Sequence, residues 1–136
     1  MVELLFTQHG LLFLLLIISN IVDWLTGWAK ARISKSENST AGFMGIIRKT
    51  GMWILVFVSF LLAYAFIELG TILNIDMGMA QFIGWFTVLT LIVNEIRSIL
   101  ENLLECKINV PKILVRGLEI FDDKIDDLIS DEEEEK

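Results

Sequence analysis

Residues 10–31 read GLLFLLLIISNIVDWLTGWAKA, a hydrocarbon run that carries Asp23, then Thr26 and Gly27, and closes on Lys30 and Ala31. A helix needs about 20 mainly apolar residues to cross roughly 30 Å of hydrocarbon, and the stretch Leu4–Trp28 meets that length. Lipid offers backbone N–H and C=O groups no partner, so such a stretch has to be helical. The first Lys or Arg is Lys30, beyond the run. Without the basic n-region of a cleaved signal peptide, the run is expected to remain as a membrane span.

Two more windows of the same kind follow, Ile46–Leu69 and Met79–Leu100. The 136-residue chain is 54% hydrophobic, and its mean hydropathy of +0.64 is far above that of a soluble domain of this size. The expected fold is an all-α membrane protein. Three transmembrane helices occupy residues 1–105, and a C-terminal cytoplasmic amphipathic helix with an acidic tail occupies residues 106–136.

The net charge of −7 is unevenly spread: residues 1–100 hold 6 basic and 6 acidic residues, and residues 101–136 hold 5 basic and 12 acidic. No clustered cationic face is available to replace counterions along phosphates, which excludes nucleic acid as a partner. Cys106 is the single cysteine, so neither an intrachain disulfide nor a thiolate metal cluster is expected. His9 is the single histidine and has no evident nucleophile beside it; the Asp23 of DWLTG does not adjoin Thr-Gly as in an aspartic protease. No cofactor fingerprint is present, and an enzyme is not expected.

The first connection, Lys30–Lys49, which overlaps the start of the second window, holds Lys30, Arg32, Lys35, Arg48 and Lys49 against the single acid Glu37, whereas the second connection, Gly70–Gly78, holds Asp76 and no basic residue. Basic loops stay in the cytoplasm, which predicts an external N-terminus and a cytoplasmic C-terminus. Gly42, Gly45 and Gly51 are expected to let the chain turn and re-enter the membrane.

At 100° per residue, Ser19, Asp23, Thr26, Gly27 and Lys30 share one face of the first helix. Thr87, Thr90, Asn94, Arg97, Ser98 and Glu101 share a face of the third, with Glu95 and Asn102 just beside it. The second helix offers little hydrogen-bonding chemistry beyond Ser59 and Tyr64 and is expected to face lipid nearly all round. An ionised side chain near the bilayer centre costs about 2.5–3.5 kcal/mol, so Asp23 must face protein or water. At 1.5 Å per residue, Asp23 lies roughly 9 Å and Arg97 roughly 10 Å from the middle of their spans toward the basic side. That predicts an Asp23–Arg97 pair, within one chain or between copies, extended by Thr26, Asn94 and Ser98, in a stripe serving as a pore lining or as an interhelical contact. Trp24, Trp28, Trp53 and Trp85 are expected to anchor the membrane interfaces.

Past the third span, Leu114, Leu118, Phe121, Ile125 and Leu128 alternate spacings of four and three, the 3.5 period of a short coiled-coil seam for self-association. The acidic run Asp131–Glu135 reads as a solvated end.

Three motifs in order carry a resemblance. They are D-x-x-T-G-x-x-K-A at Asp23, Thr26, Gly27, Lys30 and Ala31; G-F-x-G-I-x-R-K at Gly42, Phe43, Gly45, Ile46, Arg48 and Lys49; and N-E-x-x-S-I-L-E-N from Asn94 and Glu95 to Asn102, followed by Pro111. Over about residues 15–115 the chain resembles the small three-span phage holins, which include the clostridial toxin-secretion holins. The resemblance implies a homo-oligomer in the bacterial host cytoplasmic membrane that opens lesions at a set time. An endolysin, or a large toxin in some relatives, is then its functional partner without direct binding. No catalytic residue, cofactor or metal comes with the family. Asp23, Lys30 and Arg97 are the charges placed to respond to membrane voltage. An antiholin regulator shares the same pattern, and a small ion channel or transporter built on Asp23, Asn94 and Glu95 is the alternative outside the family. The acidic ending departs from the basic or mixed tail common in such proteins.

Overall fold

The computed structural model describes residues 8–36 and 38–119. Among them all regular structure is helical, and polar groups decide where each helix stops. Helix α1, Gln8–Ile33, closes where Lys35 turns left-handed (φ 51°) and the Ser36 N–H reaches the Ala31 carbonyl at 3.0 Å. Lys30 and Arg32 occupy its last turn, the end of the helix dipole that favours cations. Asn38 then caps helix α2, its side-chain oxygen accepting from the Thr40 N–H at 2.9 Å. Helix α2 runs Ser39–Leu73, 35 residues or about 52 Å.

At its far end Asn74 is left-handed (φ 57°) and the Ile75 N–H donates to the Gly70 carbonyl at 2.8 Å. The returning chain passes so close that a Cβ on Gly70 would lie 2.6 Å from the Ile75 carbonyl oxygen, which is why this turn needs glycine. Asp76 Oδ1 accepts from the Gly78 N–H at 2.9 Å, and the short 3₁₀ turn Gly78–Ala80 leads into helix α3, Gln81–Glu105. A further helical stretch covers residues 112–119. Leu114 and Leu118 of the expected seam fall on it; Phe121, Ile125, Leu128 and the acidic run lie outside the described residues.

Among the described residues three helices are therefore long and apolar enough to cross a membrane, and the chain is a multi-pass membrane protein. The first connection is shorter than expected. Arg48, Lys49, Gly42, Gly45 and Gly51 belong to α2 and not to a loop, because the Asn38 cap starts the helix several residues ahead of the apolar window. A Cβ at any of these three glycines would meet open space, so no close approach or turn requires them.

Helix α3 lies between the other two. Leu16 from α1, Val56 from α2, and Val88, Leu91 and Ile92 from α3 form the buried core, with Leu12, Met52 and Phe60 packed against it. Toward the end opposite the basic turn, Phe13, Phe60 and Trp85 meet from all three helices, with ring centroids 4.9–5.7 Å apart. Trp85 is thus a packing residue of the bundle, a role its expectation as an interface anchor does not include. Helix α2 is corrected too: Val56, Ser59 and Ala63 are buried, although the rest of its surface, including Ile54, Leu61 and Tyr64, is open to lipid.

Where α2 and α3 are tightest, a Cβ on Gly84 would sit 2.5 Å from the Phe60 ring, and that ring is held by Phe13 and Trp85. Gly84→Val should therefore destabilise the bundle by about 1–3 kcal/mol, the usual cost of overpacking, read as a fall in the thermal unfolding midpoint in detergent. Adding Phe60→Leu should recover part of the loss.

Candidate functional site

Toward the basic end the core gives way to charge. Lys49, two turns ahead of Val56 on α2, extends its ammonium between two carboxylates: Nζ lies 2.9 Å from Asp23 Oδ2 on α1 and donates to Glu95 Oε2 on α3. Asn102, seven residues after Glu95 and so on the same face of α3, donates through Nδ2 to Asp23 Oδ1 and to Thr26 Oγ1, both at 3.2 Å. The Thr26 hydroxyl in turn donates to the Asp23 carbonyl at 3.1 Å. One side chain from each spanning helix thus meets at a single clasp. The side chains of Glu95, Asp23 and Lys49 are 6%, 16% and 22% exposed.

Further toward the basic end, Lys30 pairs with Glu105 at 2.9 Å, but these side chains are 35% and 57% exposed. Solvent and salt reduce such a pair to at most about 1 kcal/mol. The buried pairs behave differently. Desolvation opposes them, so their presence adds little by itself, but removing one partner strands the others and costs about 3–5 kcal/mol.

The polar face expected on α1 does turn inward: Ser19 is buried, and Asp23, Thr26, Gly27 and Lys30 are half-buried. On α3 the expected stripe is displaced. Thr87, Thr90, Arg97 and Ser98 are half-buried while Asn94 and Glu101 are exposed, and the buried polar residues are their neighbours Glu95 and Asn102. The centre of the stripe is roughly a quarter turn from the buried face, which Gly84, Val88, Leu91 and Glu95 define at 100° per residue. The Thr90 hydroxyl oxygen is buried with no hydrogen-bond partner among the described residues.

Within the chain Asp23 finds Lys49 and Asn102 where depth alone pointed to Arg97, a correction of the intrachain pair with a geometric cause. Arg97 is two residues after Glu95, about 200° around α3. Lys49 was missed because it was assigned to a loop. The signal that finds it is Asn38-Ser39-Thr40, a capping sequence that draws Arg48 and Lys49 into the helix.

Beside the clasp, α1 and α2 splay apart and leave a groove of about 850 Å³, with Ser98 and Asn102 of α3 at its floor. Asp23 and Lys49 line its inner limit, and Trp24, Trp28 and Trp53 stand along its sides. Among the described residues no group of three or more His, Cys, Asp or Glu side chains is arranged to hold a metal ion.

Residues 1–123 match the family model described as the bacteriophage holin family. The chain belongs to that family. Among its relatives is a probable holin of Bacillus phage phi105, 31% identical over 79% of this chain and 72% of the relative. The uncharacterised protein YqxH of Bacillus subtilis is 33% identical over 81% of this chain and 71% of its own length. An uncharacterised protein of Halalkalibacterium halodurans is 29% identical over 88% and 84% respectively. No solved structure matches the chain. The holin match spans all three membrane helices and therefore every member of the clasp.

Lys49→Met should destabilise the isolated protein by about 3–5 kcal/mol, because Asp23 and Glu95 lose their shared counter-charge. Thermal unfolding in detergent measures this. Combining it with Glu95→Gln should recover part of the loss, and Lys30→Met should cost no more than about 1 kcal/mol.

Proposed function

We propose that this chain is a holin that accumulates in the bacterial cytoplasmic membrane, assembles with copies of itself, and opens lesions through which an endolysin, or a large toxin in a toxin-associated setting, leaves the cell. The clasp carries this reading. It gathers charge from three otherwise apolar helices and conceals it while the bundle is closed. Parting α1 and α2 from α3 uncovers Asp23, Lys49, Glu95, Asn102 and Thr26, a surface that water solvates and lipid does not. The same residues are thus interhelical ties in one arrangement and a wetted lining in the other. No step requires a catalytic group.

Assembly has separate support. Asn94 is exposed on α3 within a candidate span, and a side-chain amide facing lipid has no partner there. A neighbouring copy supplies one, for around 1 kcal/mol per contact. The stripe Thr87, Thr90, Asn94, Ser98 and Glu101 is in this reading the surface between copies, with Leu114 and Leu118 continuing it beyond the membrane. Residues 1–105 form the membrane unit and residues 106–136 the cytoplasmic one. The external N-terminus rests on the five basic residues between Lys30 and Lys49. Membrane potential acts on the buried charges with about 2.3 kcal/mol per charge moved across 100 mV, and an array of copies sums that effect.

Timed induction in a bacterium with and without a co-expressed cytosolic muralytic enzyme tests the function. Abrupt lysis should require both proteins; a delay of lysis caused by a second holin would identify an antiholin, and uninterrupted growth would identify a channel or transporter. Orientation is read at Cys106, the single thiol. Before any lysis, a membrane-impermeant maleimide should label it in inverted vesicles and not in spheroplasts.

A further inference from the structure

The groove between α1 and α2 shares Asp23, Lys49 and Asn102 with the clasp but extends well beyond it, and its chemistry is that of a ligand site. Its volume, about 850 Å³, lies within the roughly 300–1,000 Å³ of pockets that hold small ligands. Trp24, Trp28 and Trp53 line it, side chains whose amphipathic rings settle at the level of lipid headgroups. The charges that face it are Lys30, Arg48 and Lys49 against the one carboxylate of Asp23. Lys49 is engaged by Asp23 and Glu95, and Lys30 by Glu105. Arg48 is exposed and has no ion-pair partner among the described residues. A cation without a counter-charge therefore stands beside an apolar cleft that opens at the interfacial end of the bundle. Gly42 and Gly45 line the groove on the α2 side, and a Cβ on either would meet open space.

We propose that this groove binds one anionic phospholipid, its phosphate on the Arg48 guanidinium and the upper part of its acyl chains against the three indoles. Arginine suits the phosphate because its planar fork offers two parallel N–H donors. The α2 N-terminus at Ser39 lines the same cleft and adds the positive end of a helix dipole. The Asp23 carboxylate, on the inner wall, is already met by Lys49 and Asn102 and so does not leave a bare negative charge facing the phosphate. A zwitterionic lipid brings a cationic headgroup to the same arginine and is disfavoured. Bound there, the lipid fills the gap between the two helices beside the clasp and shields the clasp from water.

The full chain carrying Trp85→Phe, reconstituted in vesicles, tests this, because its remaining tryptophans, Trp24, Trp28 and Trp53, all line the groove. Fluorescence quenching is compared between vesicles in which phosphatidylglycerol carries acyl chains brominated near the headgroup and vesicles of identical headgroup composition in which phosphatidylcholine carries them. Quenching should report about a five-fold preference for phosphatidylglycerol, the enrichment one unpaired cation gives. Arg48→Gln should bring the two lipids to parity, and Gly45→Phe, which fills the groove from its open side, should weaken quenching by phosphatidylglycerol. Free glycerophosphate should not compete, because the site also takes the acyl chains. Equal quenching by the two lipids, or a preference that survives both substitutions, overturns the proposal. So does competition by free glycerophosphate, which marks a simple anion site. Protection of the tryptophans from both brominated lipids overturns it as well and places a second copy of the chain in the groove.

Discussion

An ammonium group drawn toward the bilayer interior has to be met by opposite charge, and Lys49 is met twice, by Asp23 on one helix and Glu95 on another. Its stem rises from α2, so this one contact ties all three spans at one level. Much else follows from the tie. Glu95 fixes which face of α3 turns inward, Asn102 lies on that same face one heptad on, and Thr26 accepts from Asn102 while donating to the Asp23 carbonyl. Two carboxylates thus share one lysine inside the bundle. Such a cluster specifies one arrangement of the helices more than it stabilises that arrangement.

The two ends of the bundle are held by different physics. At one end Phe13, Phe60 and Trp85 interlock and Gly84 lets α2 lie against α3, a contact that depends on shape and is insensitive to electric field. At the other end charge holds the helices together, and a groove already parts α1 from α2. The core between them is small, and most large apolar side chains on α2 face outward. A bundle with little internal packing and one polar fastening can open at the polar end while its aromatic end stays closed.

The number of spans was readable from the apolar windows, and the inward face of α1 from Ser19, Asp23, Thr26, Gly27 and Lys30, because a lone acid in an apolar helix has few places to point. The face of α3 that packs within the chain is not its most polar one: it is marked by Gly84, Val88, Leu91 and Ile92, with Glu95 as its single charge, while Asn94 and Glu101 of the polar stripe are exposed. Arg48 and Lys49 resemble the rim of a loop to any hydropathy count. Capping chemistry at Asn38 places them in a helix, and only the three-dimensional arrangement shows that Lys49 turns toward carboxylates while its neighbour Arg48 stays outside. The groove could not be read from sequence, since it exists only because two helix ends diverge.

The length of α2 has one more consequence. From Lys49 to Leu73 its 25 residues span about 36–38 Å, several ångströms more than the roughly 30 Å of hydrocarbon around it. Such a mismatch is relieved by leaning the helix or by thickening the bilayer nearby. The lean pivots where α2 is pinned, at Phe60 against Gly84, and Lys49 is carried on the opposite arm of that lever. Bilayer thickness therefore acts mechanically on the charge cluster: a thinner membrane favours more lean in α2 and loads the contact between its ammonium and the two carboxylates.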